Sequence, residues 1–200
     1  MKQAIHHLRT NDPVLSAIIE HVGDYGIRFR PPDFETLVKS IVFQQLSGRV
    51  ANVIFSRLSA AVKGVVTPES VLVLRPSRMR ALGLSTQKTA YIRDLARHTR
   101  SGKLVFEELS ALSDEEVVAR LTQVKGIGVW TAHMFLIFAL RRTDVLPTGD
   151  LGIRNAIRKA YSLEALPTPD EMERMAHRWR PYCSVASWYL WRSLEPDANL

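Results

Sequence analysis

The stretch LTQVKGIGVWTAHMFLIFALRRTDVLPTGD, residues 121–150, decides the fold. A polar amphipathic segment ends at Val124, the turn 125–128 reverses the chain, and an apolar helix is predicted from about Val129 to Leu140. The two glycines of the turn permit positive φ and leave no side chain between the backbone and a partner. The pattern therefore predicts a helix, a tight hairpin and a second helix.

The amide groups that begin the second helix of this hairpin are predicted to bind phosphate. The first amides of a helix have no partner within the helix and carry partial positive charge, so an anion can dock there. The hairpin residues predicted to contact DNA are Lys125, Gly126, Ile127, Gly128 and Thr131. Taken alone, Gly-x-Gly between helices is more often an ordinary interhelical turn. A dinucleotide-binding loop is unexpected because no strand precedes it.

One carboxylate follows the apolar helix. The segment Leu146-Pro147-Thr148-Gly149 leads to Asp150 at the start of the next helix. Asp is among the best N-cap residues, and capping is the simpler interpretation of this position. The two roles are compatible, and our hypothesis is that the hairpin holds DNA while Asp150 performs the chemistry.

Composition and charge favour a polyanion partner. The chain has 200 residues, 46% of them hydrophobic and 24% charged, which is enough for one domain or two closely packed lobes. A net charge of +7 and a pI near 9.9 suit nucleic acid, although a solvated basic surface gives the same numbers. No apolar run approaches the roughly 20 residues that span a bilayer, so we expect a soluble, cytoplasmic, nucleoid-associated protein.

Cofactor sites are not expected. The single cysteine, Cys183, excludes an internal disulfide and a cluster held by several thiolates, and a partly buried small residue is its simplest role. His133 and the pair His6-His7 have no ligand-like spacing with other metal-binding residues. We therefore predict no cofactor and no metal, and leave open a monovalent cation at the hairpin carbonyls.

The remaining pattern predicts an all-α fold of roughly ten helices. No segment alternates with period two, and no Asn-Gly or Asp-Gly hairpin turn occurs. Helix starts are predicted at Asn11 or Asp12, at Asp33, and at the capping boxes of Ser113 and Thr168. The segment from Ser70 to Met79 is predicted to be one short helix.

The segment 44–49 lies at a junction between two predicted helices. The residues Gln44, Gln45, Leu46 and Ser47 are predicted to enter a groove or to fill the space that a base vacates. On local sequence, a solvent-facing turn with Leu46 in the core is slightly favoured. The helix after this junction is predicted to bury five apolar residues, namely Val50, Val53, Ile54, Leu58 and Val62. A weak internal repeat is present, since GLSTQKTA at 83–90 resembles GIGVWTA at 126–132. Lys88 in this repeat is either a phosphate ligand or, more simply, a surface lysine.

Three segments in order, VKGIGVWTA at 124–132, LPTGDLGIRNA at 146–156 and RWRPYCSVASWYLWRS at 178–193, resemble the helix-hairpin-helix DNA glycosylases. The resemblance is to the 3-methyladenine DNA glycosylase II family, in the compact form without an N-terminal β domain. IVFQQLSGRVA at 41–51 and GLSTQKTAYI at 83–92 fit the same family. The likeness runs from about residue 33 to 194. It implies two helical lobes with an active site in the cleft between them.

The resemblance also implies roles for individual residues. Asp150 corresponds to the catalytic aspartate, and 125–131 to the phosphate-binding hairpin. Trp130 and Trp191, with Met134, form the expected base pocket; apart from the family match, both tryptophans are more simply core residues. Where bifunctional relatives carry a lysine, this chain has Trp130, which implies a monofunctional enzyme. Because Gln45 falls where a relative has an apolar wedge, either Gln45 or Leu46 enters the duplex.

The implied activity is excision of alkylated purines from duplex DNA in base excision repair, by a monomer. Two alternatives are a non-catalytic DNA-binding module and a glycosylase for oxidised or deaminated bases. The lobes are expected at about 33–112 and at 1–32 with 113–200, the hairpin motif lying at 113–140.

Overall fold

All regular structure in residues 1–194, the part of the chain that the computed structural model describes, is helical. This confirms the predicted all-α class. Two short 3-10 helices accompany the α-helices, at Phe106–Ala111 and His177–Trp179. The α-helices are α1 (Lys2–Asn11), α2 (Pro13–Val22), α3 (Phe34–Phe43), α4 (Gly48–Ala61), α5 (Pro68–Val73), α6 (Pro76–Ala81), α7 (Thr86–Arg100), α8 (Asp114–Leu121), α9 (Val129–Phe138), α10 (Leu151–Ala160), α11 (Pro169–Ala176) and α12 (Cys183–Leu194).

The helix starts follow the predicted capping residues. Asp12 accepts hydrogen bonds from the first amides of α2, and Asp33 accepts one from the amide of Thr36 in α3. Ser113 and Thr168 each form a complete capping box, at α8 and α11. These side chains satisfy amides that have no partner within their helix.

One predicted helix is two in the structure. The segment predicted from Ser70 to Met79 is divided between α5 and α6, and Arg75 between them is extended, with ψ 143°. Pro76 explains the break, because its ring disfavours helical geometry at the preceding residue and it has no N–H for a continuous helix.

The chain divides into two compact units. Within the described residues, the first comprises Met1–Phe29 and residues 136–194. In it α12 packs against α1, α2 and α10, around a core that includes Leu8, Leu15, Ile157, Trp179 and Tyr189, all of them buried.

A buried acid connects the parts of this first unit. Asp12 is 1% exposed, and its Oδ2 accepts hydrogen bonds from the Tyr161 hydroxyl at 2.5 Å and from Trp179 Nε1 at 2.8 Å. Its Oδ1 caps α2. Burial and the Asp12 carboxylate together raise the pKa of Tyr161 above its ordinary value. A buried carboxylate is tolerated when it has donors of this kind.

The second unit is Arg30–Phe135. Here α7 is the central helix and packs against α3, α5 and α6. The unit includes α8 and the hairpin, whereas the sequence boundary near residue 112 assigned them to the lobe of the termini. The side-chain partners of the hairpin explain the difference, because they come from α7 and from the end of α3, as described below.

The buried face of α4 differs from the prediction. Ala51, Ile54 and Leu58 are buried, whereas Val50 and Val53 are 46% and 47% exposed. Positions 51, 54 and 58 form one helical stripe, and the small Ala51 occupies the core position that the larger Val50 was expected to take. Within the described part of the chain, no helix is long and apolar enough to cross a membrane.

Candidate functional site

The hairpin has the predicted helix–turn–helix form. α8 ends at Leu121, α9 begins at Val129, and the amide of Ile127 donates to the carbonyl of Val124 at 3.1 Å in the turn. Gly126 has φ +85°, a conformation that favours glycine. Gly128 is not among the residues with positive φ, so only one of the two glycines is required by the backbone conformation.

Three side chains support this turn from within the second unit. The Tyr91 ring lies against Gly126 so closely that a Cβ at that position would overlap it. Asp94 Oδ2 accepts a hydrogen bond from the amide of Lys125 at 3.0 Å. Gln44 Nε2 donates to the carbonyl of Gly126 at 2.9 Å. These three side chains hold the turn at the Cα of Gly126, at the amide of Lys125 and at the carbonyl of Gly126.

The exposed surface of the hairpin is narrower than predicted. Val129 and Trp130 are 53% and 47% exposed, and Gly128 and Lys125 are also exposed. The side chains of Ile127 and Thr131 are buried, at 4% and 5% exposure. A contact of Ile127 or Thr131 with DNA would therefore have to come from the backbone.

The junction 44–47 separates into one inward side chain and three exposed residues. Gln44, predicted to face DNA, turns to the hairpin carbonyl instead. Gln45 has φ +56°, and Gln45, Leu46 and Ser47 are all exposed, Leu46 at 38%. The alternative that placed Leu46 in the core is wrong.

Lys88 stabilises the same junction rather than facing a phosphate. Its Nζ donates to the carbonyls of Val42 at 2.7 Å and Gln44 at 2.6 Å, at the end of α3. Partial burial lowers the pKa of this amine below its ordinary value. A cation at the carbonyl end of a helix is favoured by the helix dipole.

The weak sequence repeat corresponds to a repeated turn. Gly83 and Gly126 both have positive φ, and each is followed by a buried apolar residue, Leu84 or Ile127. The next helix starts three residues after the glycine in both cases, at Thr86 and at Val129. The two segments therefore share a turn in which a glycine with positive φ precedes the next helix by three residues.

Asp150 forms a hydrogen-bonded site within the first unit. It is the N-cap of α10, and its Oδ1 accepts from the amide of Ile153 at 2.8 Å. The indole Nε1 of Trp191 donates to the same oxygen at 2.9 Å. Asp150 is 8% exposed. A Cβ on Gly152 would lie 3.0 Å from Asp150 Oδ1 and 3.3 Å from Trp191 Cδ1, so this glycine allows the acid and the indole to approach.

The predicted pocket residues differ in their surroundings. Trp191 is half-buried, stacks on Phe138 with ring centroids 5.8 Å apart, and contacts Asp150 through its indole N–H. Trp130 is almost half exposed, so the core interpretation is wrong for it. Met134 is half-buried. Asp150 and Trp191 meet in the first unit, whereas Trp130 and Met134 belong to the second.

No metal-binding set is found among the side chains of residues 1–194, where no group of three His, Cys, Asp or Glu is suitably placed. Cys183 is buried, and burial together with the nearby Asp144 raises the pKa of its thiol.

Sequence reasoning missed Tyr91, Asp94 and Gly152. Tyr91 and Asp94 contact the hairpin from a distant part of the sequence, so no local pattern indicates their role. Gly152 could have been identified from the sequence, because it lies two residues after Asp150.

The chain is similar to known DNA repair proteins over most of its length. The family described as HhH-GPD superfamily base excision DNA repair protein matches residues 38–181. DNA-3-methyladenine glycosylase 1 of Schizosaccharomyces pombe is 36% identical over 194 residues, covering 94% of this chain and 85% of that protein.

Two solved structures have the same fold. One is a Schizosaccharomyces pombe 3-methyladenine DNA glycosylase in complex with abasic DNA, with TM-score 0.84, 36% identity and 95% of each chain covered. The other is a DNA-3-methyladenine glycosidase from Bacillus halodurans, with TM-score 0.87, 35% identity, and 96% of this chain and 89% of that chain covered. The matched residues include both the hairpin and Asp150, and the chain belongs to the HhH-GPD superfamily of base excision DNA repair proteins.

Proposed function

We propose that this chain is a monofunctional DNA glycosylase that hydrolyses the N-glycosidic bond of alkylated purines in duplex DNA. The observation that carries the proposal is Asp150, held by the indole N–H of Trp191 and the amide of Ile153 in a chain of the base excision repair superfamily. The names of the relatives support 3-methyladenine as a substrate, and we propose 7-methylguanine as a second alkylated purine of the same type.

The hairpin is proposed to bind the DNA backbone. The amides at the start of α9 face the anion without reading a base, and the exposed Gly128 allows a phosphate to approach the backbone. The net charge of +7 adds a sequence-independent attraction. Either Gln45 or Leu46, both of them exposed, is proposed to fill the space left by the extruded nucleotide.

The target base must leave the helical stack before its glycosidic bond can be reached. Flipping costs a few kcal/mol and is cheapest for damaged or mispaired bases. The exposed indole of Trp130 in the second unit offers a π face to a cationic base; Met134 of the same unit and Trp191 of the first unit are the other proposed base-binding residues. A cation over an indole gains about 0.5 to 2 kcal/mol relative to a neutral ring, which favours alkylated purines.

The proposed reaction needs one fixed carboxylate. As the C1′–N bond breaks, positive charge develops on the sugar, and the negative charge of Asp150 stabilises it. Water then adds to C1′ and loses a proton, while the electron pair of the broken bond neutralises the departing cationic base. Because an alkylated purine leaves as a neutral molecule, no strong general acid is required.

The proposal includes no lyase step and no cofactor. Cleavage of the backbone through a Schiff base requires an amine, and position 130 is an indole that cannot form one. Charge stabilisation by a carboxylate suffices for a leaving group that is already cationic. We propose that the protein acts as a monomer on damaged double-stranded DNA, in the cytoplasm at the nucleoid.

The test is release of bases from duplex DNA treated with a methylating agent. Free 3-methyladenine and 7-methylguanine are expected, with abasic sites left in an unbroken strand. Tight DNA binding without any released base would instead identify a non-catalytic binding module. Release of only oxidised or deaminated bases from matched substrates would favour the other class of glycosylase, and strand breaks at the abasic sites would show lyase activity.

A further inference from the structure

Asp94 is a buried acid that the proposed reaction does not use. It lies on α7 and is 8% exposed. Its Oδ2 accepts the amide of Lys125 at 3.0 Å, across 31 positions of the chain. Burying a charged group costs free energy unless it is paired and hydrogen-bonded, and Asp94 meets both conditions at the base of the hairpin.

Two basic side chains of α7 compensate the charge of Asp94. Arg97 Nη2 lies 3.4 Å from Oδ1, and His98 Nδ1 lies 3.6 Å from Oδ2 and 3.0 Å from the Asp94 carbonyl oxygen. From the hairpin, the facing group is the Lys125 amide. Burial raises the pKa of Asp94, but the hydrogen bonds from Lys125 and Arg97 and the nearby positive charges outweigh it, so the pKa lies below its ordinary value.

We propose that Asp94 is a positioning residue for the phosphate-binding turn: its carboxylate fixes the Lys125 peptide and so sets the direction in which the following amides face. This inference rests on the proposed function, because it assumes that the hairpin binds DNA. Tyr91 and Gln44 hold the neighbouring Gly126 by its Cα and its carbonyl, so that Asp94 supplies the one contact to an amide among the three supports.

The position of Asp94 makes the sign of its effect informative. By charge alone, a carboxylate behind an anion-binding turn repels phosphate, so its removal would strengthen DNA binding. As a positioning group, it orders the turn before DNA arrives, so its removal weakens binding. The two interpretations predict opposite changes in affinity.

Three substitutions separate charge from position. Asp94→Ala removes both, Asp94→Asn keeps an acceptor oxygen in place without the charge, and Asp94→Glu keeps the charge but moves the oxygen by one methylene. Glu115→Gln on α8 is the control, because Glu115 is exposed and its loss raises the net charge as much as Asp94→Asn does. Affinity is measured with duplex DNA containing a stable abasic-site analogue, and hydrogen exchange of the Lys125 amide is followed by NMR.

We expect Asp94→Ala and Asp94→Glu to weaken DNA binding about tenfold, and Asp94→Asn by less than about threefold. Exchange of the Lys125 amide should accelerate about tenfold in the first two variants and little in the third. Glu115→Gln should leave both measurements unchanged or slightly strengthen binding. Far-UV circular dichroism identifies any variant that does not fold, and the crossed Asn and Glu variants still separate the two interpretations if Asp94→Ala fails.

Two outcomes overturn the inference in different ways. If the wild-type protein binds abasic DNA and Asp94→Glu binds equally well, or the Ala and Asn variants bind more tightly, positioning by Asp94 is wrong while the proposed function stands. If the wild-type protein does not bind DNA, the proposed function fails and this inference fails with it.

Discussion

The indole N–H of Trp191 donates to Oδ1 of Asp150 at 2.9 Å, and the amide of Ile153 donates to the same oxygen at 2.8 Å. Two donors on one oxygen fix the plane of the carboxylate. The indole that the sequence assigned to base recognition therefore also orients the acid. The role of the Trp191 indole N–H can therefore be tested separately from the role of its aromatic ring.

Trp191→Phe removes the donor and keeps an aromatic ring beside Phe138. We expect base release under single-turnover conditions to slow about tenfold, because one hydrogen bond to a carboxylate contributes roughly 1.5 kcal/mol. DNA affinity should change little. An unchanged rate would show that the indole N–H does not orient the acid.

Trp188→Phe is the matched control on the same helix. Trp188 is buried against Tyr25 and Tyr189, and its Nε1 has no hydrogen-bond partner within residues 1–194. This substitution should cost about 1–2 kcal/mol of stability through the smaller ring, with the rate of base release unchanged. Equal losses of rate in both variants would contradict a specific role for Trp191.

Asp150→Asn should abolish most base release without unfolding the protein. Asn is also a good N-cap, so the start of α10 should keep its stability within about 0.5 kcal/mol. The negative charge that stabilises the sugar is lost, and we expect the rate to fall at least about a hundredfold. Affinity for abasic DNA and thermal unfolding are measured in parallel, and loss of folding with activity would leave capping as the main role of Asp150.

Gly152→Ala tests how closely the acid and the indole must approach. In a helix interior this change usually stabilises by roughly 0.5–1 kcal/mol. Here the new methyl group would lie 3.0 Å from Asp150 Oδ1 and 3.3 Å from Trp191 Cδ1 and would displace one of them. We expect slower base release with thermal stability nearly unchanged, and an unaffected rate would show that the pair tolerates displacement.

Gly126→Ala and Gly128→Ala should have different effects on stability. At Gly126 a Cβ overlaps Tyr91 and φ is +85°, so we expect a loss of about 2 kcal/mol or more in urea unfolding. At Gly128 a Cβ meets no atom within 4 Å, so stability should hold.

DNA binding should nonetheless weaken in both glycine variants, because a methyl group at Gly128 projects into the space proposed for a phosphate and one at Gly126 cannot keep its present place against Tyr91. The dependence of affinity on salt should also flatten, since phosphate contacts carry that dependence. An unchanged salt dependence in both variants would count against the phosphate-binding role of the hairpin.

The pKa of Asp94 is lower in the folded protein than its ordinary value of about 4. A group with a lowered folded pKa contributes stability that is fully present above the unfolded pKa and is lost as the pH falls through the folded pKa. The difference in unfolding free energy between wild type and Asp94→Asn should thus shrink as the pH falls below about 4. A difference that stays constant down to pH 3 would show that the carboxylate is not stabilised by its partners.

Local chemistry explains which parts of the fold were predictable. Capping residues such as Asp33 and Ser113 act on amides within three positions, so their helices could be predicted from the sequence. The exposed residues of α4 could not be predicted from the sequence. The choice between Val50 and Ala51 for the core depends on how closely the neighbouring helices approach. The break before Pro76 is a local effect, because proline disfavours helical geometry at the preceding residue.

The candidate site was predictable to a similar extent. The turn at Gly126 and the N-cap at Asp150 depend on residues that are neighbours in the sequence, and both occur as expected. Gln44 was assigned to DNA because glutamine is polar at an exposed junction, but the nearby Gly126 carbonyl is a better partner. Contacts between distant segments decide the role of such a side chain.

The Asp12 cluster limits how far the chain can be trimmed. A fragment restricted to residues 38–181, the part that the family comparison matches, would delete Asp12 and leave Tyr161 and Trp179 without their shared acceptor. The same fragment would also lose Trp191, the donor to Asp150. A folded, active fragment of this protein must therefore extend beyond the family match on both sides, to include Asp12 and Trp191.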